Sequence, residues 1–158
     1  MRPPLSGALV VTQLFGGNPA QEAYTQDGHV VLGHTGIDIS ANVGDLVYPA
    51  WPGTAQVQDF GNDGFGKHIT LTDDKGRTAL YGHLSEILVN DGERVQTHVA
   101  IGKAGSTGYS TGPHVHFQIQ EAHPNLNNGY LGCRDPLGGF DSDVTPFIDL
   151  SLTNYWTG

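Results

Sequence analysis

Two histidines one residue apart, His114 and His116, stand inside the alternating run 112–120, GPHVHFQIQ. On an extended strand side chains repeat their direction every two residues, so both imidazoles project from one face while Val115, Phe117 and Ile119 project from the other. Paired imidazoles suit a metal ion or an acid/base pair. Upstream stand His34 with Asp38 in the run HTGID, and His83 at the end of a strand-like run. The His34–Asp38 spacing lets both side chains face one way on an extended segment, with Ile37 and Ile39 facing the other. A catalytic zinc takes three ligands from His, Asp or Glu and keeps a fourth position for water. This set supplies that many and leaves two imidazoles for proton transfer. Spacing alone does not say which of His114 and His116 would bind the ion.

The chain that must position these groups has 158 residues, which predicts one domain over 1–158 with a core of its own. Seven basic against sixteen acidic residues give a formal charge of −9 and argue against nucleic acid or an anionic membrane surface as partner. The one cysteine, Cys133, excludes an intrachain disulfide and a four-thiolate zinc site. Leu5 to Val11, broken by Ser6 and Gly7, is too short and weak to be read as a secretory leader. No window approaches the roughly 20 apolar residues of a membrane span.

Twenty-three glycines and nine prolines between short apolar runs predict many short strands, hence a mainly β, antiparallel, sandwich-like body with an open groove. Strands are expected at 8–15, 53–60, 67–72, 77–83 and 95–101, with 67–83 a hairpin turning at Asp73-Asp74-Lys75-Gly76. The segment 17–28 reads as loop, with a helical turn at 21–26. A second short helical or irregular turn is expected at 84–90, and a long loop at 102–113 that delivers the chain to the two histidines. Beyond Glu121 the pattern weakens, Phe147 to Leu150 is the last apolar cluster, and the tail is expected to wrap the domain.

His34-x-x-x-Asp38, Leu80-Tyr81-Gly82-His83-Leu84 and Gly105-x-Thr107-Gly108-x-x-Thr111-Gly112-Pro113-His114-x-His116-Phe117 occur in this order, and with them the chain resembles the lysostaphin-type (LytM-like) zinc endopeptidases of peptidoglycan. The resemblance covers about residues 8–121 and includes Phe15-Gly16 and Gly64-Phe65-Gly66-Lys67. It implies a LytM-like fold, one zinc per chain held by His34, Asp38 and His116, and catalytic roles for His83 and His114 away from the metal. It also implies hydrolysis of stem-peptide or cross-bridge amides of bacterial peptidoglycan at the cell wall, with a phage-borne lysin compatible; a monomer is favoured, though the sequence does not fix the oligomeric state. A wall-binding or regulatory module that keeps the fold without the catalysis is the alternative. Two departures stand out: 17–33 is longer than a minimal connector, and Gln118 stands where many relatives carry Glu.

Other features have plainer readings. His29, His68, His98 and His123 are expected to be surface or hydrogen-bonded structural residues. Gly61-x-x-x-x-Gly66-Lys67 nearly matches a phosphate-binding loop, but His68 replaces the required hydroxyl residue and a strand follows where a helix should open. Cys133 reads as a buried small residue, because no histidine motif accompanies it. Trp51, Tyr48 and Tyr109 are candidates for a groove or for core and rim packing.

Overall fold

The computed structural model describes residues 2–138 and 153–155. Its strands are β1 (Leu9–Gln13), β2 (Tyr24–Gln26), β3 (His29–Val31), β4 (Ile37–Ser40), β5 (Leu46–Val47), β6 (Gly53–Asp59) and β7 (Lys67–Thr72). They continue with β8 (Thr78–Ile87), β9 (Arg94–Val95), β10 (Gly102–Ala104), β11 (His114–Gln120), β12 (Cys133–Arg134) and β13 (Thr153–Tyr155). One helical turn, α1 (Pro19–Glu22), precedes β2. The main sheet runs β13-β1-β4-β11-β8-β7-β6-β9, with β10 and β5 joined to the far end of β8 and β12 to the end of β11. Pairing is antiparallel except between β1 and β13.

Alternation on β11 builds both sides of its strand, as its sequence requires. Val115, Phe117 and Ile119 are fully buried together with Ile37, Ile39, Ile69, Leu71, Ala79 and Tyr81 from the strands around them. Each large apolar side chain removed from water contributes about 1.5–3 kcal/mol. Deep in this core the Tyr81 hydroxyl accepts the Ala50 N–H at 2.7 Å.

Several elements differ from expectation for identifiable reasons. β8 continues through Ile87, where the local pattern predicts a turn, because its last residues pair with β10 inside the stretch expected as loop. Of 95–101 only Val95 is in a strand, and the helical turn sits at Pro19–Glu22, followed by the β2–β3 hairpin. Within the expected tail, β12 pairs with β11; Phe147 to Leu150 lie outside the described residues.

Two local features shape the polar side of this sheet. Tyr81 pairs with Ile69 and Leu84 with Lys67, so Gly82 and His83 together oppose His68 alone, a β-bulge. His83 there has φ 61°, the left-handed region that non-glycine residues seldom occupy. Beside it, the loops 61–66 and 107–109 are hooked together by backbone: Gly108 N–H donates to Gly61 O at 3.1 Å and Tyr109 N–H to Gly64 O at 2.8 Å. Gly66 and Gly108 touch so closely that a Cβ on either would collide with the other's backbone, and both have positive φ. Gly108→Ala should therefore lower the unfolding free energy in a urea titration by about 1–3 kcal/mol. Gly112→Ala, whose methyl would meet open space, should stay within about 0.5 kcal/mol of the parent.

Candidate active site

His34 is not on a strand but in the loop just before β4, and it reaches the polar face of β11 because Gly36 lies directly against the Phe117 carbonyl, where no Cβ would fit. On β4, Asp38 pairs with His116 of β11. The three groups converge: His34 Nε2 lies 2.9 Å from His116 Nδ1, and Asp38 Oδ1 lies 3.2 Å from each. Both rings have their other nitrogen occupied by an acceptor. His34 Nδ1–H donates to the Leu14 carbonyl at 3.2 Å, and His116 Nε2–H donates to Gln118 Oε1 at 2.9 Å. The nitrogens that face one another therefore both present lone pairs, an arrangement that a cation between them and the carboxylate satisfies. Tetrahedral zinc with ligands at about 2.0–2.1 Å would hold its donors roughly 3.3 Å apart, close to the observed spacing. His34 and His116 are buried and Asp38 is half-buried, so the set fits such an ion in chemistry and in geometry.

Burial works against charge on Asp38, but in the metal-free protein a proton on the facing nitrogen of His116 or His34 can take the place of a cation, and the hydrogen bonds and charge of those rings then outweigh burial and hold the carboxyl well below the usual carboxylate range. Burial likewise lowers the basicity of His34, yet the Asp38 hydrogen bond and charge, helped by the Leu14 carbonyl and Glu22, leave it raised.

The other two imidazoles stand beside this triangle. His83 is buried, with its N–H on Phe65 O at 2.8 Å and its Nδ1–H on Thr107 O at 2.7 Å. That tautomer leaves the Nε2 lone pair free. His114 donates Nδ1–H to Gly112 O at 2.8 Å, and its Nε2 lies 3.5 Å from Asp38 Oδ2. The two rings are 4.6 Å apart between centroids, and Phe65 stacks on His116 at 4.8 Å. A cleft of about 570 Å³ opens over all five residues. Its walls are Asn18, Glu22, Tyr24 and Gln26 on one side and Phe60, Phe65 and residues 109–111 on the other.

All five candidates from the sequence are thus brought together, and the structure gives their neighbours contacts that the sequence does not show. Thr107 positions the His83 ring through its carbonyl while its hydroxyl donates to Leu84 O at 2.6 Å. Buried His68 contacts Phe60 and Phe65 ring to ring and hydrogen-bonds Gly66 O and Gln58, a structural histidine under the aromatic wall. The Gly61–Gly66 run belongs to that wall. Of the three aromatic candidates only Tyr109 lines the cleft; Trp51 is in the core and Tyr48 packs under Arg2. Burial pushes the Cys133 thiol up to about 12, so it stays protonated at neutral pH. His98 and His123 are exposed.

A centre of this kind, on an antiparallel frame and open to a cleft of that size, fits the metallopeptidases. Among these the chain is a member of peptidase family M23, whose model matches residues 32–128. It is 42% identical over 86 residues to glycyl-glycine endopeptidase ALE-1 of Staphylococcus capitis, a match covering 54% of this chain and 24% of that protein. The corresponding match to lysostaphin of Staphylococcus simulans is 40% over 86 residues, 54% of this chain and 17% of the relative. Among solved structures, a mutant catalytic domain of the prophage-encoded M23 protein EnpA from Enterococcus faecalis superposes with TM-score 0.65 at 30% identity, covering 85% of this chain and 93% of that one. The lysostaphin catalytic domain gives TM-score 0.59 at 32% identity, covering 73% and 84%.

Burial, with like charge from His114 and His116, pushes His83 down to about 4 against the opposing Thr107 carbonyl. The unfolded chain protonates the same residue near 6.5. It therefore binds more protons between those values, so this contribution to stability is complete above about pH 6.5 and is lost as pH falls toward 4. In the metal-free protein, NMR should show the His83 ring titrating with a midpoint near 4. His83→Asn, whose side chain tolerates the left-handed backbone, should flatten the fall of unfolding free energy across that window.

Proposed function

We propose that this chain is a zinc-dependent endopeptidase that hydrolyses amide bonds in the stem peptides or cross-bridges of bacterial peptidoglycan, acting at the cell wall as one catalytic unit. The observation that carries the reading is the pair of opposed imidazole lone pairs, 2.9 Å apart beside a shared carboxylate. His34 Nε2, Asp38 Oδ1 and His116 Nδ1 are the ligands. A bound zinc supplies a water of lowered pKa, near 7, and polarises a carbonyl oxygen. A solved relative from Vibrio cholerae, 30% identical over 73% of this chain, is a zinc-containing peptidase.

The remaining residues divide the proton transfers. His83, neutral at working pH and with a free Nε2 lone pair, takes the proton of the attacking water and returns one to the leaving amine. His114 Nε2, when protonated, is steadied by Asp38 Oδ2 and donates toward the oxyanion that develops on the scissile carbonyl. The cleft carries acids and imidazoles as its charged lining. Such a lining favours a bond inside a peptide over one next to a free terminal carboxylate. ALE-1 is a glycyl-glycine endopeptidase and ShyA of Vibrio cholerae a peptidoglycan DD-endopeptidase, so the substrates to try come from walls of both cross-link chemistries.

Purified protein should contain one zinc per chain, and digestion of isolated peptidoglycan should release new amino termini that mass spectrometry assigns to one bond. His34→Ala, Asp38→Ala and His116→Ala should lose both metal and activity. His83→Ala should retain zinc and lose roughly 10²- to 10⁴-fold in rate. Protein free of divalent metal, or wall digestion unchanged by a chelator, would overturn the proposal.

A further inference from the structure

Gln118 makes two hydrogen bonds through a single atom. Its Oε1 accepts from His116 Nε2–H at 2.9 Å and from the Thr35 hydroxyl at 2.9 Å. Two donors on one oxygen fix which way the amide points, so its NH₂ group must face away from both. Gln118 does not line the main cleft; it lines a second cavity of about 350 Å³. Both cavities are bordered by Tyr24, Gln26, Thr35 and Phe65, so they are neighbouring arms of one depression. Among the described residues nothing accepts from the Gln118 amide nitrogen.

The second arm is bordered by the β2–β3 hairpin, which precedes the family match, and by the segment after β11, which straddles its end. The β2–β3 hairpin is tied to the segment after β11 by His29 Nδ1 and Asn127 Oδ1 at 2.8 Å and by Leu32 N–H on Gly129 O at 2.8 Å. The lining mixes apolar surface, from Phe65, Leu126 and Leu131, with three uncharged amides, Gln26, Gln118 and Gln120, and carries one acid, Asp27. An amide donor left to solvent in such a lining suits the backbone carbonyl of an extended peptide segment.

We propose that the second cavity is a subsite for a peptide arm of the substrate. In it the Gln118 nitrogen donates to a substrate carbonyl while the Gln118 oxygen holds His116 in the tautomer that presents Nδ1. The subsite rests on the peptidase reading. Gln118 is a positioning residue for the metal ligand and a binding residue for the substrate, and the two roles respond oppositely to one substitution. Gln118→Glu keeps the two acceptor contacts, now with a charged acceptor, but puts an oxygen where the NH₂ group stood. Zinc affinity should hold or rise while capture of the arm is lost.

The test uses the scissile bond identified by mass spectrometry and two synthetic peptides around it, one with two residues on each side and one with four. Zinc affinity is measured separately by competition with a chromophoric chelator. The parent protein should favour the longer peptide in kcat/KM, chiefly through KM, and Gln118→Glu should reduce that preference about tenfold without weakening zinc. Gln118→Leu, which removes both roles, should weaken zinc about 10- to 100-fold. Equal use of both peptides by the parent protein, or an undiminished preference in Gln118→Glu, would overturn the subsite and leave the peptidase reading standing. Cleavage of neither peptide nor of whole peptidoglycan would overturn the peptidase reading and the subsite with it.

Discussion

Two nitrogen lone pairs pointed at each other beside a carboxylate form an arrangement that electrostatics alone would disperse. The fold holds it by committing the far side of each ring. The Leu14 carbonyl takes one N–H and Gln118 the other, and the core strands β4 and β11 fix the carboxylate against His116 by register. Holding like-signed groups together costs stability, which the packed residues behind the strands supply. A cation relieves the repulsion directly, so ion binding and folding at this spot are one problem.

The second pair of imidazoles is governed by backbone rather than by register. The bulge on β8 turns His83 out of the β ladder just where that strand leaves β11 for β10. The Phe65 and Thr107 carbonyls then catch its backbone and ring. Because Phe65 also stacks on His116, one loop touches His83 and His116 at once. The geometry between the two kinds of imidazole thus depends on the hooked glycine loops more than on any side-chain contact.

Much of the site is legible in the amino-acid order. Strict alternation in 114–120 places the histidines and the core together, and the motif order joins them to His34, Asp38 and His83 through family resemblance. What stays illegible depends on distance in the fold. The spacing of His34 to Asp38 reads as one continuous extended segment, yet His34 lies in the loop before β4, with Gly36 packed against the Phe117 carbonyl. The extension of β8 needs a partner, β10, hidden in a glycine- and serine-rich stretch whose local preference is irregular. Neither the bulge nor the second contact of Gln118 leaves a pattern in the chain, since both arise from pairing between segments far apart. The Gly61–Gly66 run shows the converse: a motif that mimics a phosphate loop is, in three dimensions, a wall tied to another loop.

That tie is made by main-chain atoms, Gly108 to Gly61 and Tyr109 to Gly64. Exchange of the side chains at 60, 63 and 109–111 leaves those bonds in place. The wall can therefore diversify like an antibody loop on a rigid sandwich, changing the surface the cleft presents while the backbone around His83 stays in place. Variation of the lining and constancy of the frame are in this sense separately heritable, with two small residues, Gly66 and Gly108, as the seam between them.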